Sequence, residues 1–257
     1  MIVEAANQLG ETVLFNKLKR LREKQTDQGL EMPSLPEDLT DPKAILEIFL
    51  ETNRFKQIYQ KATEIFQQPM RGREFQGKKA YFAGRIFQDL AYIYISWQMA
   101  QTESSKVLLS PELTLEFYKY LYGDFLGERV DTSPFGLTGL ENKSVPDGMV
   151  VDDQRIDGLY EYTLRRISQP FIDSKNYSLY LDRNIFSGFE PGVGLTVVMP
   201  EGQSDLNLKK AEIIQLPFTR GDFGKFTAWL YNNFLPKEQD LTLNEMRRRV
   251  LFTSARK

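Results

Sequence analysis

The segment from Val145 to Thr163 constrains the fold more than any other stretch. Val145-Pro146-Asp147-Gly148-Met149-Val150-Val151 and Ile156-Asp157-Gly158-Leu159-Tyr160-Glu161-Tyr162-Thr163 read as two short strands joined by the polar turn Asp152-Asp153-Gln154-Arg155. Asp147 and Glu161 are an even number of positions apart and symmetric about Gln154. A hairpin centred there sets the two acids directly opposite each other on one face, where Cβ atoms stand about 5 Å apart. Two carboxylates that close repel unless a proton or a cation lies between them. A hard divalent cation, which takes carboxylate and carbonyl oxygens, fits the arrangement.

Composition narrows the chemistry by subtraction. The chain has no histidine and no cysteine. That excludes Ser-His-Asp and Cys-His catalysis, imidazole or thiolate zinc sites and disulfide staples. Any metal has to be held by oxygen, which points to Mg²⁺ or Mn²⁺. A general base has to be Lys, Asp, Glu, Tyr or a metal-bound hydroxide. The net charge of −2 argues against a uniformly basic coat for nucleic acid but leaves room for a local basic surface. The longest apolar stretch, Leu90 to Trp97, is too short to span a bilayer, so no membrane partner is expected. With Glu4 and no basic segment ahead of an apolar one, no signal peptide is read, and a cytoplasmic location is expected.

The 257 residues suffice for one large domain or two modest ones. A helical N-terminal region is expected over 1–70. Leu14, Leu18 and Leu21 recur at helix spacing, Pro33 and Pro36 break the pattern, and further helices follow Pro42 and carry Phe55 to Phe66. An α/β core is expected over 71–257, including its first helix and a C-terminal helix. The first helix runs from Phe75 to about Ala100 with a wide apolar stripe, and Ser110-Pro111-Glu112 starts another. Beyond the hairpin come a helix over Ser168–Phe186, strands at Gly194–Met199 and Glu212–Phe218, and a last amphipathic helix after Gly224. The fold class is therefore α/β (α+β): a helical N-terminal part, then a mixed sheet flanked by helices.

This order of elements, with Pro146-Asp147 on one strand and Glu161-Tyr162-Thr163 on the next, resembles the PD-(D/E)XK nuclease superfamily. Gly84-Arg85-Ile86-Phe87-Gln88-Asp89-Leu90 looks like the glycine-started first core helix of many members. The resemblance implies a core of helix, three-stranded antiparallel meander, crossing helix and fourth strand. It implies that Asp147 and Glu161 hold Mg²⁺ or Mn²⁺ with the Tyr162 carbonyl as a further ligand. It also implies metal-dependent hydrolysis of DNA, as an endonuclease. Thr163 departs from the family pattern, which has Lys there. A threonine hydroxyl supplies no positive charge and is no base near neutral pH. Lys175 on the following helix, Arg165 on the same strand face and Lys79 on the first helix are the candidate replacements. The preceding meander strand is expected somewhere in Lys106–Leu140.

Alternatives stand beside these expectations. Pro-Asp-Gly is also an ordinary turn, and the chain could be an inactive scaffold of the same fold that binds nucleic acid or protein, with Thr163 marking lost chemistry. A helical adaptor is a third class. Gln88 and Asp89 are expected on the helix surface, with Glu74 or Asp89 as an outside choice for a third carboxylate. Asp152, Asp153 and Asp157 read as turn and strand-end acids. Two basic clusters, one of Arg71, Arg73, Lys78 and Lys79 and one of Arg247–Arg249 with Arg256 and Lys257, are either solvated or near phosphate. The helical N-terminal region could take a protein partner, and a homodimer would supply two sites for two strands.

Overall fold

The computed structural model describes residues 2–28, 41–66, 72–102, 105–125, 145–202 and 208–234. Among them, α1 (Ile2–Gln28), α2 (Pro42–Glu51) and α3 (Asn53–Phe66) make the helical N-terminal part, followed by the long α4 (Gly72–Ala100). Then come β1 (Val107–Leu109), α5 (Pro111–Lys119) running into a π-helical turn (Tyr120–Phe125), β2 (Gly148–Asp152) and β3 (Arg155–Tyr162). The chain continues through α6 (Gln169–Ile185), β4 (Leu195–Glu201), β5 (Glu212–Thr219) and α7 (Arg220–Phe234). The fold is mixed α/β, as the sequence predicts. The strand order is β1-β2-β3-β4-β5, with the first three antiparallel and β3, β4 and β5 parallel. Helix α6 makes the crossover that a parallel β3–β4 pair requires.

Strand alternation divides the interior into two cores. Met149, Val151, Leu159, Leu195 and Val197 point to one face, where they meet α1, α5 and α6 through Leu14, Leu18, Phe117, Tyr118, Ile172 and Leu179. Val150, Tyr162, Val198, Leu216 and Phe218 point to the other, against α2, α4 and α7. β4 is buried over Leu195 to Pro200 because helices cover both its faces. The N-terminal helices are built into these same cores. The leucine stripe of α1 is buried at Leu14, Leu18 and Leu21, and Ile45 and Phe49 of α2 pack with α4.

Local signals set the element ends. Ser110 caps α5, its Oγ accepting the Leu113 amide at 3.3 Å, and Pro111 fits the first turn. Helix α7 starts four residues before Gly224, at Arg220. Thr219 and Asp222 form a reciprocal cap: Oγ1 of Thr219 accepts the Asp222 amide at 3.2 Å, and Oδ2 of Asp222 accepts the Thr219 amide at 3.3 Å. With the first turn capped in this way, Gly224 is tolerated inside the helix. β1 lies at the start of the range expected for it, and α5 separates it from its sheet neighbour β2. The proline loop at Pro33 and Pro36, Arg71 and the basic residues Arg247–Arg249, Arg256 and Lys257 lie outside the described residues. No helix among the described residues is long and apolar enough to cross a membrane.

The hairpin is centred differently from the symmetric turn about Gln154. Asp152 pairs with Arg155, so Asp153 and Gln154 make the turn, with Asp153 at φ 50°. Val151 pairs with Ile156 but Val150 with Gly158, which leaves Asp157 as the extra residue of a β-bulge. The bulge restores the even register beyond it, where Gly148 pairs with Tyr160. Asp157 is thus a bulge residue rather than a strand-end acid, and its carboxylate takes Lys106 Nζ at 2.5 Å.

Gly148 has a steric reason to be glycine. A Cβ there would stand 2.5 Å from the Tyr162 hydroxyl, which is buried without a hydrogen-bond partner. Gly148→Ala is expected to destabilise the protein by about 1–3 kcal/mol through overpacking. Tyr162→Phe alone is expected to leave stability unchanged or raised, since it removes an unsatisfied buried group. The double variant is expected to recover part of the Gly148→Ala loss. Denaturant unfolding of the four proteins checks this, and a strictly additive pair would contradict it.

Candidate carboxylate site

Asp147 stands where β2 begins and its side chain takes over from the backbone ladder. The Asp147 amide still donates to the Tyr160 carbonyl at 2.8 Å. One step on, Oδ2 of Asp147 accepts the Tyr162 amide at 2.8 Å. Its other oxygen, Oδ1, accepts Nε2 of Gln88 from α4 at 2.6 Å. On β3, Glu161 shares the face of Leu159, the side on which α6 packs. There Lys175 Nζ meets Oε2 of Glu161 at 2.6 Å, with both side chains almost buried. The Lys175 amine also lies 5.6 Å from the centre of the Phe171 ring.

The electrostatics follow from this packing. Burial pushes Glu161 up to about 7; the neighbouring Asp147 carboxylate adds to the rise and Lys175 opposes it. Burial raises Asp147 as well, against the Tyr162 amide, Lys175, Gln88 and Arg85. Two buried carboxylates therefore share one ammonium group, and a hard divalent cation would offset the remaining negative charge. The donor set fits such a cation, since it is all oxygen. Leu159 and Thr163 give their amides to carbonyls of Gly194 and Val198 beside β4. The intervening Tyr162 therefore turns its carbonyl to the opposite edge of β3, the edge on which Asp147 sits. Among the described residues no group of three or more His, Cys, Asp or Glu side chains is disposed to hold a metal, so a cation here would rest on Asp147, Glu161 and main-chain oxygen.

The four residues singled out from sequence separate into three that meet and one that does not. Asp147, Glu161 and Lys175 converge. Arg165 is exposed, and only its backbone amide, which donates to Thr163 Oγ1 at 3.1 Å, is engaged near the site. Arg165 follows the end of β3, where the chain leaves the sheet, so strand alternation no longer directs it toward Glu161. Lys79 is occupied elsewhere, 4.5 Å from the Phe75 ring centre and 5.3 Å from that of Tyr231. Glu74 is exposed in the first turn of α4, about 21 Å along the helix from Gln88.

Two expectations on α4 are overturned. Gln88 is not plain helix surface, because it bonds Asp147. Asp89 is 2% exposed and is held by Arg54 of α3 at 2.7 Å. A chain of polar contacts runs from there to the site. Arg54 also pairs with Glu112 at 2.9 Å, Glu112 with Arg85 at 2.8 Å, and Arg85 donates to Oε1 of Gln88 at 2.7 Å. That last bond fixes the Gln88 amide so that its nitrogen faces Asp147. Partial burial would raise Glu112, whose side chain is 52% exposed, but Arg54 and Arg85 beside it hold its carboxyl down to about 2. Arg54 keeps its guanidinium raised despite burial because Asp89 and Glu112 flank it, and its carbon lies 4.6 Å over the Tyr92 ring. Gln88 sits one turn after Gly84 in the helix already marked in the sequence; Arg54 and Glu112 carry no local signal. An open groove of about 970 Å³, lined by Val150, Gly158, Tyr160 and Thr196 near Met99 of α4, contains none of these site residues. No family model matches the chain, and neither a curated protein nor a solved structure matches it.

A carboxyl whose folded pKa lies above its unfolded value binds its proton more tightly when folded, so stability falls as pH rises between the two. For Glu161 that window runs from 4.5 to about 7. Apoprotein stability is expected to drop across it by at most about 3 kcal/mol on this account. Glu161→Gln is expected to flatten the pH slope, whatever its constant offset from leaving Lys175 unpaired. Urea unfolding at several pH values checks this, and an unchanged slope would contradict it.

Proposed function

We propose that the chain is a divalent-metal-dependent nuclease acting on DNA, with Asp147 and Glu161 as metal ligands, the Tyr162 carbonyl as a further oxygen ligand and Lys175 as the positive group. One observation carries this reading: the Lys175 amine reaches Glu161 from α6 and supplies the charge that Thr163 lacks. The strand order and the α6 crossover accord with the superfamily resemblance, which the comparisons neither add to nor oppose. When bound, Mg²⁺ or Mn²⁺ would lower the pKa of a water and polarise a phosphate oxygen.

The protein's own groups do the rest. Asp147 is held from two sides, by Gln88 and by the Tyr162 amide, so its oxygens are oriented before any substrate arrives. Glu161 is deprotonated above about 7, which suits ligation and limits it below. Lys175 stands on a rigid helix with its amine beside Glu161, where it can orient a water or meet a phosphate oxygen. Burial around the pair strengthens each of these interactions by keeping bulk water away.

The second reading, an inactive scaffold that binds nucleic acid or protein, draws on the same ion pair, because a buried Glu161 needs Lys175 even without chemistry. Cleavage separates the two. Purified protein with Mn²⁺ or Mg²⁺ is expected to cut supercoiled plasmid or single-stranded DNA. Asp147→Ala is expected to abolish this, and Lys175→Met to lower the rate roughly a hundredfold or more, with circular dichroism showing the fold retained. Wild-type protein that cuts no form of DNA or RNA with either metal would leave the scaffold reading.

A further inference from the structure

The exposed side of α4 ahead of Gln88 carries a feature that the carboxylate site does not use. Residues of an α-helix spaced by three, four and seven positions share one side. Arg73, Gly77, Tyr81 and Gly84 are exposed along one strip that ends on Gln88, whose amide bonds Asp147, and exposed Lys78 lies at its flank three positions before Tyr81. Tyr81 is 51% exposed, and its ring is braced edge-on by Phe82 at 5.3 Å and 77°. Phe82 is itself buried with Ala62 and Phe75, so the tyrosine stands on a fixed base.

Two glycines flank the ring. Each weakens an exposed helix relative to alanine, and nothing lies within 4 Å of a Cβ built at Gly77 or Gly84. No described residue packs within 4 Å of either position. Arg73 and Lys78 have no acidic partner among the described residues, whereas Arg85 is paired with Glu112. Glu74 is an acid on the same side, so two free cations face one carboxylate. Tyr81 lies about 10 Å along the axis from Gln88, so a base on the ring and a phosphate at Asp147 would belong to nearby nucleotides.

We propose that this strip binds single-stranded DNA, with an unpaired base stacked on Tyr81, phosphates at Arg73 and Lys78, and the strand leading to Asp147 and Glu161. A base inside a duplex offers its face to its neighbours, whereas an unpaired one offers it to an aromatic ring. The helix beside the ring, open among the described residues, lets the strand approach, and the two cations give the patch the charge that the chain as a whole, at −2, lacks. The proposal rests on the nuclease reading only for where the strand leads; the binding itself needs neither metal nor cleavage.

The test is fluorescence anisotropy of labelled oligo(dT) with the full chain in EDTA. Tyr81→Ala is expected to weaken binding roughly fivefold or more, and Tyr81→Phe to keep it. Arg73→Gln with Lys78→Gln is expected to flatten the log-affinity against log-salt slope by about 1.4, from two phosphates on a single strand. Blunt duplex of matched length is expected to bind more weakly and without dependence on Tyr81. Tyr81→Ala binding oligo(dT) like wild type, or losing duplex equally, would overturn the stacking platform. Tighter binding of oligo(rU) would overturn the assignment to DNA. If no cleavage occurs with Mn²⁺ while binding still depends on Tyr81, the nuclease reading falls and the strip stands. Cleavage with binding indifferent to Tyr81 has the opposite meaning.

Discussion

Two carboxylates are held almost buried at one end of the sheet, and the elements around them make that tolerable. A buried charge is costly unless paired and hydrogen-bonded. Asp147 takes the Tyr162 amide where the β2–β3 ladder ends, and takes Gln88 from the helix on one face. Glu161 takes Lys175 from the helix on the other. The sheet, α4 and α6 therefore meet at a single point, and each must keep its register for the pair to stay satisfied. The bulge at Asp157 contributes from a distance, since without its extra residue the two acids would fall on opposite faces.

The N-terminal helices reach this point through charge as well as packing. Arg54 of α3 binds Asp89 and Glu112, Glu112 binds Arg85, and Arg85 orients Gln88. Each group in that chain is satisfied by the next, so the desolvation cost of one buried charge is offset by its neighbour. On the other face, α1 lays its leucines against β1 and α5, so both layers beside the sheet depend on residues ahead of position 70. The helical part thus completes the cores that position the carboxylates.

Most elements were legible because periodicity and strand alternation are local. The hairpin acids, the α4 stripe, the helix before β4 and the paired strands β4 and β5 all follow from spacing within a few residues. Lys175 was legible as well, because a helix following β3 overhangs the strand end and a lysine stem is long. What was not legible depends on distant partners. Asp89 and Gln88 read as surface because their partners, Arg54 and Asp147, are 35 and 59 positions away. Gly224 suggests a later start for α7, whereas the Thr219–Asp222 cap sets it at Arg220 and outweighs a glycine inside the first turns. The spacing of the two acids suggests a turn centred on Gln154, whereas the turn is Asp153-Gln154 and a bulge further along β3 compensates for the shift.

We propose that Asp147 and Glu161 form one cation site. Isothermal titration calorimetry of the intact chain with Mn²⁺ tests it most directly, run at pH 6 and pH 8 in buffers of different ionisation enthalpy. The expected result is saturable binding at one site, tighter at pH 8, with proton release at pH 6 as Glu161 ionises, and loss of that site in Asp147→Ala. Absence of saturable binding in the wild type, or binding that survives Asp147→Ala unchanged, would contradict the claim.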